Sequence, residues 1–144
     1  MTQQQIEDFI LAMSGVQSST AFGYRFFFYA DNHKLPFATL ADSDNEYDNR
    51  SNLNRDGVFR VNAGVSAETF RQLFEIGHQS EPDYTVLNRF LPHPDYAAYH
   101  FICILCPTGE NALQLQRYLE EAYAIARARY ERRLSGTADA NDVR

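Results

Sequence analysis

Two cysteines spelled Cys103-Ile104-Leu105-Cys106 are the first residues here whose spacing suggests chemistry, because Cys-x-x-Cys serves both redox pairs and metal sites. The surrounding run Tyr99–Cys106 reads as a strand, and in a strand residues three apart project to opposite faces about 10 Å apart. That is too far for a disulfide or a shared metal. Redox pairs open a helix, whereas Cys103 lies back in the strand. Asp42, Asp44, Glu46 and Asp48 alternate like the start of a calcium loop. An EF-hand needs glycine at its sixth position and glutamate at its twelfth, and Tyr47 and Leu53 stand there instead. His33, His78, His93 and His100 form no zinc spacing. The sequence therefore predicts no metal and no cofactor. His93, between Pro92 and Pro94, is the one candidate for an acid/base role, with Asp95 and Asp83 as possible acid partners. No nucleophile elbow, phosphate loop or dinucleotide fingerprint is present.

A second kind of chemistry, stacking, is offered by Phe26-Phe27-Phe28-Tyr29. In a strand, Phe22, Tyr24, Phe26 and Phe28 share one face, and Arg25, Phe27 and Tyr29 share the other. A small two-layer domain leaves one face of its sheet open to water, and each large ring gains roughly 2–3 kcal/mol on burial. The second face therefore calls for a cover: a partner, a ligand, or a loop of the same chain. The expected surface joins Arg25, Phe27 and Tyr29 to Tyr84, Phe90, His93 and Tyr96 from the irregular segment downstream. Aromatics with one arginine suit a homodimer interface, another protein, or a planar small molecule.

The charge narrows the partners. The 144 residues carry 13 Lys/Arg against 19 Asp/Glu, a net −6, and residues 1–106 hold the whole deficit. An acidic chain repels phosphates, so nucleic acid is a doubtful partner. Its alternative footprint is Arg50, Arg55 and Arg60 around a polar loop, or Arg127, Arg129, Arg132 and Arg133 near a helix end, where cations also complement the helix dipole. No apolar run approaches the ~20 residues that span a bilayer. Without a basic segment leading into an apolar core at the start, the expectation is a cytoplasmic protein.

The elements that must position these residues follow from periodicity. Thr2 caps a first helix whose Ile6, Phe9, Ile10 and Met13 form one face, and Gly15 closes it. Residues 22–30, 36–42, 58–63 and 99–106 read as strands, with a solvated loop at 42–56. Ser66 caps a second helix running to Ile76 and stopped by Gly77, with Phe70, Leu73 and Phe74 inward. Asp83 caps a short helical turn at Tyr84–Phe90. Thr108 caps the longest helix, about 109–134, with Leu115, Leu119, Ala122, Tyr123 and Ala126 as its stripe and Gly136 as its stop. The expectation is one α+β domain over residues 1–134 and a disordered tail over 135–144. Its two layers are a curved antiparallel sheet of four to five strands and helices on one face.

Several blocks carry a family resemblance: Phe26–Tyr29, Pro36-Phe37-Ala38-Thr39-Leu40, Gly57–Asn62, Gly64-Val65-Ser66 with Glu68-Thr69-Phe70, Pro92-His93-Pro94 and Glu121-Ala122-Tyr123. Over residues 3–130 the chain resembles an uncharacterised bacterial domain family of unknown function. That layout is in turn distantly similar to the MmcQ/YjbR family of predicted double-wing DNA-binding proteins. The resemblance implies a helix-β3-helix-β2-helix fold like that of secretion chaperones, with a further strand inside residues 84–98. It brings no catalytic residues. Taken together, the reading is a non-catalytic binding module, with nucleic-acid binding and then an enzyme using His93 as alternatives.

Overall fold

The computed structural model describes residues 1–74 and 81–143. It is an α+β fold: one open, wholly antiparallel six-stranded sheet with helices on one face. The elements are α1 (Gln3–Leu11), β1 (Val16–Ala21), β2 (Tyr24–Tyr29), β3 (Ala38–Ala41), β4 (Arg60–Gly64), α2 (Ala67–Phe74), β5 (Leu91–Pro92), a 3₁₀ turn at Ala97–Tyr99, β6 (Phe101–Leu105) and α3 (Gly109–Val143). Strand order is β1-β2-β3-β4-β6-β5. Four strands, not three, precede α2, and the strand implied within residues 84–98 is β5.

Local signals explain these boundaries. Thr2 forms a full capping box with Gln5 at the start of α1. Ser66 Oγ accepts the Thr69 amide at 3.1 Å at the start of α2. The α2 end expected at Ile76 and Gly77, and also His78, lie outside the described residues. Between β1 and β2 the chain reverses in two residues, Phe22 (φ 56°) and Gly23 (φ 82°), both left-handed. Paired positive φ values are what a tight hairpin of the primed type requires. Phe22 is therefore a turn residue, 85% exposed, and not the first ring of the β2 face. At Tyr84–Phe90 there is a turn and then irregular chain, not a helical turn, because Asp83 Oδ1 accepts from both the Thr85 amide and its hydroxyl.

The register defines two faces. On the helix side, one cross-strand row runs Ser18, Phe27, Ala38, Ala63, Ile102 and Pro92, and the next runs Thr20, Arg25, Leu40, Val61 and Ile104. The apolar members pack against Ile6 and Ile10 of α1 and Leu115, Leu119 and Ala122 of α3 to make the main core. On the opposite face one row runs Ser19, Phe26, Thr39, Asn62, Cys103 and Leu91, and the next runs Ala21, Tyr24, Ala41, Arg60 and Leu105. Two segments of the same chain cover the middle of that face. The loop after β3 brings Leu53 onto Ala41 and Leu105, and the segment before β5 brings Tyr84 onto Leu91 and Cys103.

Candidate functional site

Arg60 sits at the centre of the covered face with no exposure to solvent. An arginine there is tolerable only if its N–H groups are matched, since a buried unpaired charge is very costly. Its Nη1 donates to Asp48 Oδ1 at 3.1 Å and to Ser51 Oγ at 3.0 Å, its Nε donates to Asn62 Oδ1 at 2.9 Å, and its Nη2 pairs with Asp48 Oδ2. Asn62 in turn donates to Thr39 Oγ1 at 2.8 Å, and the Tyr24 hydroxyl donates to Asp48. Thus β2, β3 and β4 supply one half of the cluster and the covering loop supplies Asp48 and Ser51. No buried side-chain nitrogen or oxygen among the described residues lacks a partner.

Electrostatics follow from this packing. Burial pushes the Asp48 carboxyl up, but the hydrogen bond and charge of Arg60, with the Tyr24 hydroxyl, outweigh it and hold Asp48 below the usual carboxylate range. Burial works against the Arg60 cation, yet Asp48 raises its pKa further. Tyr24 is pushed up to about 12, first by burial and then by its bond to Asp48. Cys103 is pushed up to about 12 by burial, so its thiol stays protonated and non-nucleophilic.

His93 lies beside this cluster, 4% exposed. Its Nδ1 accepts the backbone N–H groups of Asp95 at 3.0 Å and Tyr96 at 3.1 Å. That assigns the proton to Nε2 and leaves the ring without a free lone pair for a substrate. Burial, then the Arg60 charge, lowers its pKa to about 4, so the ring is neutral at physiological pH. His93 braces the turn that carries Tyr96, with ring centroids 5.0 Å apart. Asp95 meets it through its amide, and Asp83 is engaged with Thr85, so neither carboxylate partners the imidazole.

The expected aromatic surface does not assemble as one groove. Arg25, Phe27 and Tyr29 face the helices: Arg25 pairs with Glu7 at 2.8 Å, Phe27 is wholly buried, and Tyr29 meets Tyr123 and Tyr130 edge-on. Phe90 packs on Tyr118 of α3. Tyr84, His93 and Tyr96 belong to the opposite face. The division into two sets along β2 is correct, but the set opposite the helices is Tyr24, Phe26 and Phe28, its last ring stacked on His33 at 4.7 Å. Phe22 and Tyr47 stand exposed singly, and two further exposed rings gather at the β5–β6 margin. Tyr96, 54% exposed, stands over His93 and Phe101, and Tyr99, 71% exposed, lies beside Tyr96.

The arginines fall into three groups. Arg60 is buried and cannot reach a phosphate. Arg55 staples the covering loop through the carbonyls of Ser51, Asn52 and Thr85, and Arg50 pairs with Glu81. Arg127 pairs with Glu131, while Arg129, Arg132 and Arg133 are exposed on α3. The loop acids also disperse: Asp42 accepts from Gln3, Asp44 from the Leu53 amide, and Asp48 holds Arg60. Among the described residues no three His, Cys, Asp or Glu side chains gather as metal ligands, and no helix is long and apolar enough to cross a membrane. Two surface recesses, about 660 Å³ beside Thr2, Asp42 and Arg55 and about 460 Å³ between α2 and α3, are not lined by the exposed tyrosines.

Compared with known proteins, residues 1–135 match the model described as "Family of unknown function (DUF6194)". No curated protein and no solved structure matches the chain.

Proposed function

The chain belongs to the DUF6194 family, and we propose that it is a non-catalytic binding module that recognises a protein partner through the ring cluster at the β5–β6 margin. One observation carries this reading: Tyr96 is exposed yet anchored, because its amide is bound to His93 Nδ1 and its ring meets those of His93 and Phe101, with exposed Tyr99 beside it. Rigid exposed tyrosines bury large area at little entropic cost, and aromatics are enriched in the centres of interfaces. The cluster is not part of either recess, and small-molecule sites are concave. The buried ionisable groups support a non-catalytic role, since Asp48, Arg60 and His93 are already occupied by one another or by backbone. A photo-crosslinking residue at position 99 of the full chain, expressed in its native cells, tests this. A discrete adduct that disappears with Tyr96→Ala is expected. Compounds that raise the melting point only when Tyr96 and Tyr99 are present, with no protein adduct, would replace the protein partner by a small molecule.

A second reading, nucleic-acid binding of the MmcQ/YjbR kind, is favoured by Arg129, Arg132 and Arg133, whose spacing of three and four sets them on one side of α3. It requires binding to labelled duplex or single strands that weakens steeply with salt; none at ~50 mM salt removes it.

A further inference from the structure

We infer that β1 is a docking edge for a second copy of this chain, paired antiparallel about a two-fold axis at Ser19. The sheet has two edges, and they are built differently. The β5 edge is two residues long and ends in Pro92, a short and proline-blunted edge of the kind that discourages strand addition. The β1 edge is six residues, Val16–Ala21, with Gln17 to Thr20 exposed. It carries no proline, and from Ala12 to Tyr24 there is no charged residue. In a chain of net charge −6, this neutral edge is where two like-charged copies can approach.

The hydrogen-bond phase of the edge is set by the hairpin. Ala21 and Tyr24 flank the two-residue turn and form a bonded pair, as do Ser19–Phe26 and Gln17–Phe28 by alternation. Ser18 and Thr20 therefore turn their N–H and C=O groups outward, and these have no hydrogen-bond partner among the described residues. Val16 has the same phase, and its amide is taken by Met13. A two-fold axis at Ser19 places Ser18 opposite the partner's Thr20 and Thr20 opposite the partner's Ser18, so all four outward groups of each copy are satisfied. The hydroxyls of those residues meet across the join on the helix side, a favourable cross-strand pairing. Such a self-complementary contact closes at two subunits.

The test is the mass in solution across a concentration series, with three variants. Wild type is expected at twice 16.5 kDa. Ser18→Pro removes an outward N–H that the bond to β2 does not use, and Thr20→Lys puts like charges across the join; both are expected to be folded monomers. Ser19→Cys provides a positive readout that survives if either variant misfolds. Non-bonded antiparallel pairs hold Cα atoms about 4.5 Å apart, within disulfide range. Mild oxidation is expected to give a covalent dimer from Ser19→Cys and none from wild type or Gln17→Cys. A wild-type monomer at every concentration, a dimer that Thr20→Lys leaves intact, or no crosslink through position 19 would each overturn the inference. A monomer that takes up a foreign strand on this edge also overturns it.

Discussion

Replacing Asp48 by alanine isolates what holds the covering loop on the sheet. Arg60 is fully buried, and two of its four observed donor contacts go to Asp48. Without the carboxylate, a guanidinium stays in the interior with Ser51 and Asn62 as its remaining partners. Removing one member of a buried ion pair typically costs about 3–5 kcal/mol. Unfolding entropy of roughly 2.1 cal/mol/K per residue over this chain gives a fall in melting temperature on the order of 10–16 °C. Against a typical margin of ~5–15 kcal/mol, that loss is a large share of the total stability. The assay is urea unfolding of Asp48→Ala, Arg60→Met and the pair Asp48→Leu/Arg60→Met. The double variant should regain much of the loss, because two apolar groups bury no unmatched charge. The acid limb adds a check. Asp48 is held below the usual carboxylate range, so its stabilisation is complete above that range and disappears as pH falls through its folded value. A cost below about 1 kcal/mol for Asp48→Ala would mean that the pair behaves as a solvated surface bridge, and the argument for a clamp would fail.

Further outcomes follow from the same geometry. His93 is neutral in the fold down to about 4 but titrates near 6.5 when unfolded, so the unfolded state takes up the proton first. Stability should be full above pH ~6.5 and fall by roughly 2–3 kcal/mol towards pH 4; chemical unfolding of His93→Asn should show a flatter profile between pH 5 and 6.5. The Cys103 thiol, pushed up to about 12, should resist a thiol reagent at pH 8 until denaturant is added, and Cys103→Ala should leave the native thiol count unchanged. Gly64 has the Phe101 ring 2.9 Å from where a Cβ would sit, so Gly64→Ala should cost on the order of 1–3 kcal/mol in urea unfolding, and a neutral result would show that the ring moves freely.

How far the sequence discloses this architecture depends on what each segment buries. α1 and the core-facing part of α3 are legible because their apolar stripes meet the core, where Ile6, Ile10, Leu115, Leu119 and Ala122 all lie. The end of α3 is not, since the helix runs through the expected stop at Gly136 to Val143, beyond the stripe that carries the signal. β1 is not legible. Val-Gln-Ser-Ser-Thr-Ala buries almost nothing on either side, so it leaves no alternation, and only the Phe22-Gly23 turn before Tyr24 could have betrayed it. The parity of β2 is readable, but its orientation is not. With rings on both sides, nothing within the strand says which set meets the helices. The deciding information lies two strands away. In β4, Val61 and Ala63 alternate with Arg60 and Asn62, so the apolar side of that strand marks the helix layer and the polar side marks the covered face. Propagated through the register, that parity places Phe27 on the helix side with Val61 and Ala63, and Phe26 on the other with Asn62.

This parity also explains why the second face needed a charged clamp. The loop after β3 is too polar to be held down by apolar burial, with Leu53 its one wholly buried apolar side chain between Asp42 and Arg55. Asp48 and Ser51 meeting Arg60 supply a directional anchor that a greasy contact would not, and Arg55 fastens the loop's far end to the carbonyl of Thr85. The centre of the sheet is thereby sealed by the chain itself. The two surfaces proposed above, the rings beyond β5 and the open backbone of β1, both lie outside what the clamp covers. Since these lie on opposite edges of the sheet, pairing through β1 would leave the tyrosines of both copies free. The two surfaces are separable by mutation for that reason. Tyr96→Ala/Tyr99→Ala should leave the dimer mass unchanged, and Thr20→Lys should leave adduct formation at position 99 unchanged. Loss of both properties in either variant would mean that one surface serves both, and the assignment of two independent sites would be wrong.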